Sequence, residues 1–98
     1  MIDHSQQQQL HTYVSGIVQG VGFRYFVLRS ALENNLVGWV RNKYDGRVEI
    51  LAEGELNDLN RFLVALRQGP RSSQVTNVDY SFAKAQGKFD RFSVLSTG

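Results

Sequence analysis

The stretch Gly16-Ile-Val-Gln-Gly-Val-Gly-Phe-Arg24 places three glycines, at 16, 20 and 22, just ahead of an arginine. A glycine-rich turn lets backbone N–H groups converge on one point because no Cβ atoms stand in the way. A helix opening directly behind such a turn adds N–H groups that have no intrahelical partner, together with the positive end of its dipole. That combination holds a phosphate-sized anion. Arg24 supplies a permanently charged fork able to bind two oxygens at once. Two familiar phosphate motifs do not fit. The Walker pattern requires Gly-Lys-Ser/Thr after four spacers, and a dinucleotide fingerprint through Gly20 and Gly22 would need glycine where Tyr25 stands. On these residues alone the segment has an affinity for phosphate and no assigned reaction. The alternative, glycines serving only a tight turn and an arginine facing solvent, stays open.

The surrounding pattern supplies elements to position this turn. Leu10, Thr12 and Val14 alternate with His11, Tyr13 and Ser15, which predicts a strand leading into it. A helix is expected over 23–34, with Leu28, Ala31 and Leu32 at helical spacing and Asn35 as a left-handed cap. Strands are expected over 37–42 and 47–53, joined by the Asp45-Gly46 turn as a hairpin. Leu59, Phe62, Leu63 and Leu66 predict a second helix capped by Asn57 and stopped by Gly69-Pro70. Val78, Tyr80 and Phe82 read as a fourth strand, and Phe92 and Val94 as a short last one. The order βαββαβ, plus that terminal strand, predicts an α+β ferredoxin-like split βαβ sandwich, an antiparallel sheet with two helices on one face. Residues 1–9, ending in Gln6-Gln7-Gln8-Gln9, read as a flexible polar tail, and 10–98 as a single domain.

Two motifs are recognisable. The 16–24 segment resembles the first acylphosphatase signature, Gly-x-Val-Gln-Gly-Val-x-Phe/Tyr-Arg, at every fixed position, and Gly38-Trp-Val-Arg-Asn42 resembles the second, ending in its required asparagine. The resemblance runs over roughly Leu10 to Val94. It implies hydrolysis of acyl phosphates to a carboxylate and inorganic phosphate, with no metal or cofactor. It also implies that Arg24 and Asn42 are catalytic, the first binding phosphate and the second positioning the attacking water. The backbone N–H groups of Gln19, Gly20, Val21, Gly22, Phe23 and Arg24 would hold the phosphoryl oxygens. From the residues alone, Asn42 reads as the start of the hairpin turn.

The residue types suit that chemistry. The first motif contains no Cys, His, Ser or Asp to form a phosphoenzyme. His4 belongs to the tail, and His11 lies outside the motif with a structural or solvated role. Direct attack by water is then the simpler route. The carboxylate leaving group has a conjugate acid with a pKa of roughly 4, so it departs without a general acid. Asn42 is neutral and can orient a water without acting as a strong base. Glu49 and Glu53 alternate on one sheet face and are expected to be solvated, as are Arg41, Lys43 and Arg47.

Composition narrows the remaining options. The chain has 98 residues and no cysteine, which excludes disulfides and thiolate metal sites. A net charge of +2 is too small to imply nucleic acid. Residues 47–54 lack the aromatics of an RNA-reading strand. No apolar run reaches the roughly 18 residues of a membrane span, and no signal pattern opens the chain. The expectation is a cytoplasmic monomer whose partners are an acyl phosphate and inorganic phosphate as product and inhibitor, with no nucleic acid or membrane. The competing reading is a non-catalytic anion-sensing module on the same fold.

Overall fold

The computed structural model describes residues 7–98. Its elements are β1 (Gln7–Ile17), α1 (Phe23–Glu33), β2 (Val37–Asn42), β3 (Val48–Glu55), α2 (Leu56–Gln68), β4 (Gln74–Lys84) and β5 (Phe92–Val94). The strands form one sheet in the order β4-β1-β3-β2-β5. The pairings among the first four are antiparallel, as the split βαβ arrangement requires. The short β5 runs parallel to β2, so the sheet is mixed rather than antiparallel throughout.

Alternation along the strands decides which face is covered. Leu10, Thr12 and Val14 of β1 lie opposite Ala52, Ile50 and Val48 of β3, and Val40 of β2 also faces Ile50. All seven are fully buried. Phe23, Val27 and Ala31 of α1 and Leu59, Phe62, Leu63 and Leu66 of α2 pack onto these strands in one continuous core, so both helices cover the same face. Burying each of the larger side chains stabilises the fold by about 1.5–3 kcal/mol. Thr12 is tolerated among them because its Oγ1 donates to the Asp79 carbonyl at 2.9 Å.

Element ends show where local signals held. Asn35 takes the left-handed conformation expected after α1, with φ 58°. Gly69 closes α2 as expected. The start of α2 differs: Glu55, not Asn57, occupies the N-cap, and no side chain bonds to the open N–H groups. Asp58 in the first turn complements the dipole instead. β1 also begins earlier than expected. Gln7, Gln8 and Gln9 pair with Glu55, Gly54 and Glu53 of β3, and Gln8 and Gln9 also pair with β4. A strand flanked on both sides satisfies its backbone whatever its side chains are, which outweighs their polarity. Residues 1–6, the rest of the expected tail, lie outside the described residues.

One irregularity aims the chain at the site. The register between β1 and β4 slips between Ser15 and Gly16, where Gly16 has φ 124°. A Cβ there would stand 2.0 Å from the Gln74 carbonyl oxygen. Only glycine permits this bulge, beyond which Gly16 and Ile17 stay paired with Val75 and Gln74 of β4 and lead into the loop before α1.

Candidate active site

The loop between β1 and α1 is anchored by apolar residues and opened by glycines. Val18 and Phe23, at its two ends, are each only 1% exposed, and Val21 packs against the core. Between them, Gly20 and Gly22 have φ 74° and 77°. Gly22 forms the N-cap of α1 in a left-handed conformation, without a side-chain cap and with no acidic residue in the first turn. The first helical bond runs from Phe26 N–H to the Gly22 carbonyl at 3.0 Å. The N–H groups of Gln19, Gly20, Val21 and Gly22 make no backbone hydrogen bond among the described residues. A Cβ built on Gly20 or Gly22 meets nothing within 4 Å. The loop is thus an uncapped, open donor array with the dipole of α1 behind it.

Arg24 stands at the second position of α1, half-buried. Its guanidinium makes one side-chain hydrogen bond, from Nη1 to the Leu95 carbonyl at 3.3 Å. No described carboxylate pairs with it. Most of its donors remain available to an anion. Asn42 ends β2, two residues beyond the buried Val40 and therefore on the helix-covered side of the sheet. Its carbonyl accepts from Gly98 N–H at 3.0 Å. Its side-chain Oδ1 is buried and has no hydrogen-bond partner, the one such side-chain atom among the described residues. Val18, Gly20, Gly22, Phe23, Arg24, Tyr25, Asn42 and Val94 line a single cavity of about 320 Å³. The two sequence motifs, separated along the chain by α1, thus meet across one small space.

Gln19, expected to contribute only its backbone N–H, also uses its side chain: Nε2 donates to the Lys43 and Arg47 carbonyls at 2.8 and 2.9 Å. A polar residue inside a glycine-rich loop was the available signal, but its partners lie 24 and 28 residues away.

The opposite face of the sheet corrects a second expectation. Glu49 and Glu53 are not solvated; they are 5% and 3% exposed. Burial alone would raise the Glu49 carboxyl, but hydrogen bonds from His11, Arg41 and Tyr13 outweigh it and hold it at about 2. The contacts are 2.6 Å to His11 Nε2, 2.9 Å to Arg41 Nε and 2.9 Å to the Tyr13 hydroxyl. Lys43 Nζ adds an ion pair at 3.7 Å. Glu53 is likewise lowered: burial acts against its charge, but the Gln86 N–H, the Gln9 amide and the Gly87 N–H outweigh it. Arg41 and Lys43 are therefore committed to Glu49, and His11 has a structural partner. None of Glu49, Glu53 or His11 lines the cavity of Arg24 and Asn42.

Comparison with known proteins decides the family. The acylphosphatase family model matches residues 10–94. The chain belongs to the acylphosphatase family. The acylphosphatase of Bacillus subtilis is 46% identical over 87 residues, covering 89% of this chain and 96% of that one. The crystal structure of acylphosphatase from Bacillus subtilis superposes with a TM-score of 0.87 at 45% identity, over 90% of this chain and 98% of the other. An acylphosphatase structure from Coxiella burnetii gives a TM-score of 0.87 at 35% identity, over 93% and 95%. Membership makes the chain an enzyme, and family and fold together support hydrolysis of a small-molecule acyl phosphate. Both acylphosphatase signatures contribute to the cavity, the first through Gly20, Gly22, Phe23 and Arg24 and the second through Asn42. No described helix is long and apolar enough to cross a membrane. Among the described residues, no group of three or more His, Asp and Glu side chains is placed to hold a metal ion.

Proposed function

We propose that the chain cleaves the carboxyl–phosphate bond by direct attack of a water held by Asn42. The phosphoryl group would be bound by Arg24 and by the N–H groups of Gln19, Gly20, Val21, Gly22, Phe23 and Arg24. The observation that carries this reading is that Asn42, whose buried Oδ1 has no hydrogen-bond partner among the described residues, lines the cavity that also holds Arg24. Leaving such an acceptor unpaired costs about 1–3 kcal/mol, so its retention points to use. A water donating one proton to Oδ1 keeps a lone pair for phosphorus. The open donor array of the loop suits the phosphoryl oxygens, and the Arg24 fork offsets their charge.

The reaction balances without a further group. The water oxygen bonds to phosphorus as the bond from phosphorus to the acyl oxygen breaks, and the carboxylate leaves with that electron pair. One water proton stays on the transferred oxygen and the other passes to a phosphoryl oxygen, so an acyl phosphate dianion gives a carboxylate and dihydrogen phosphate. No acid is required because the leaving group is already a stable anion at neutral pH.

Steady-state hydrolysis of acetyl phosphate, with an alkyl phosphate monoester as control, tests this reading. Turnover of acetyl phosphate is expected, insensitive to EDTA and inhibited competitively by inorganic phosphate. The monoester is expected to react at least about 10²-fold more slowly, the usual contribution of the general acid this site lacks. Phosphate binding without turnover would instead establish an anion-sensing module.

A further inference from the structure

The Gln19 amide spans the gap between the two halves of the site. Its Nε2 bonds to both carbonyls at the mouth of the β2–β3 hairpin, Lys43 at 2.8 Å and Arg47 at 2.9 Å. Lys43 directly follows Asn42, and its own N–H donates to the Arg47 carbonyl at 2.8 Å. Gln19 at the same time opens the donor loop, one residue before Gly20. A single side chain therefore joins the loop that would hold the phosphoryl group to the strand end that carries Asn42.

These bonds are not needed to satisfy the hairpin. The Lys43 carbonyl already accepts from Gly46 N–H at 3.1 Å, and the Arg47 carbonyl from Lys43 N–H. Removing the amide would leave neither carbonyl without a donor, so the cost to folding is small. What would be lost is the fixed distance between the loop and Asn42. A misplacement of roughly 1 Å between reacting groups can cost about 10² in rate.

We propose that Gln19 is a positioning residue, whose side-chain amide fixes Asn42 and its water relative to the phosphoryl cradle. The proposal rests on the roles given above to Arg24 and Asn42. In it the Gln19 side chain has a task distinct from that of its backbone N–H.

The test is a double-mutant cycle on the full chain with Gln19→Met and Asn42→Ala. Methionine keeps the length and bulk of glutamine and removes both donors. Gln19→Met is expected to lower kcat by about 10–100-fold, within the range for misplaced groups, while the inhibition constant for phosphate changes by less than about threefold and Tm by only a few degrees. The double variant is expected to be no slower than Asn42→Ala alone, because Gln19 acts through Asn42. Gln19→Glu adds a pH readout. Its ionised carboxylate faces two carbonyl oxygens and cannot donate, whereas its neutral form can donate once. Part of the lost kcat should therefore return as pH falls from about 7 towards about 5, relative to wild type.

Unchanged kcat in Gln19→Met would overturn the proposal. So would a fall in kcat matched by an equal loss of phosphate affinity, or multiplicative effects in the double variant when Asn42→Ala is itself slow. Near-normal turnover by Asn42→Ala would overturn the reading of Asn42, and the proposal with it.

Discussion

Replacing Arg24 by alanine is expected to lower kcat/KM for an acyl phosphate by about 10³–10⁵-fold, the range associated with an arginine that neutralises a transferring phosphoryl group. The size follows from how little else in the cavity carries charge. Among the residues lining it, Arg24 is the sole one with a charged side chain. No described carboxylate competes for its guanidinium. Phosphate binding should weaken together with turnover, because the same fork meets the ground-state and transition-state oxygens. Stability should barely change, since the side chain is half-buried and makes one long hydrogen bond at 3.3 Å. Arg24→Lys should recover only part of the loss: lysine restores the charge but not the planar pair of donors. Steady-state kinetics, phosphate titration by calorimetry and a thermal melt separate these effects.

Asn42→Ala is expected to behave differently. Turnover should fall by about 10²–10³-fold, as when one oriented hydrogen-bonding group is removed from a transition state. Phosphate affinity should stay within about threefold of wild type, because the proposed phosphate donors all belong to residues 19–24 and none to β2. The informative part is stability. The alanine removes an oxygen that bonds to no other group among the described residues, so no hydrogen bond within the chain is lost. The variant should therefore melt within a few degrees of wild type. Catalysis lost with stability kept is the pattern expected of a group held in place for function. A marked drop in Tm would identify Asn42 as a packing residue.

Much of this architecture was legible in the sequence because its signals are local. The β2 boundaries, the four buried apolar residues of α2 and the left-handed Asn35 follow from periodicity and turn chemistry within a few residues. The glycines at 20 and 22 likewise announced an open turn ahead of a helix. The misreadings share one cause. Whether Glu49 is solvated depends on His11 and Tyr13, which are 38 and 36 residues away. For Glu53 it depends on Gln86 and Gly87, 33 and 34 residues away. The entry of Gln7–Gln9 into β1 is decided by β3 and β4, not by glutamine. Long-range pairing of this kind leaves no periodic trace. Asn42 is the instructive case: its residues alone described a hairpin start, and the family resemblance suggested more. The fold adds what neither could: Asn42, whose buried Oδ1 has no partner among the described residues, lines the same cavity as Arg24.

The proposed reaction is defined by the bond that breaks and the atom that water attacks. Hydrolysis of acetyl phosphate by the purified chain in water labelled with heavy oxygen, with mass analysis of both products over a single turnover, addresses it directly. Attack at phosphorus by a water on Asn42 predicts one labelled oxygen in every phosphate formed and none in the acetate. Label in the acetate would mean attack at the carbonyl carbon and would rule out attack at phosphorus.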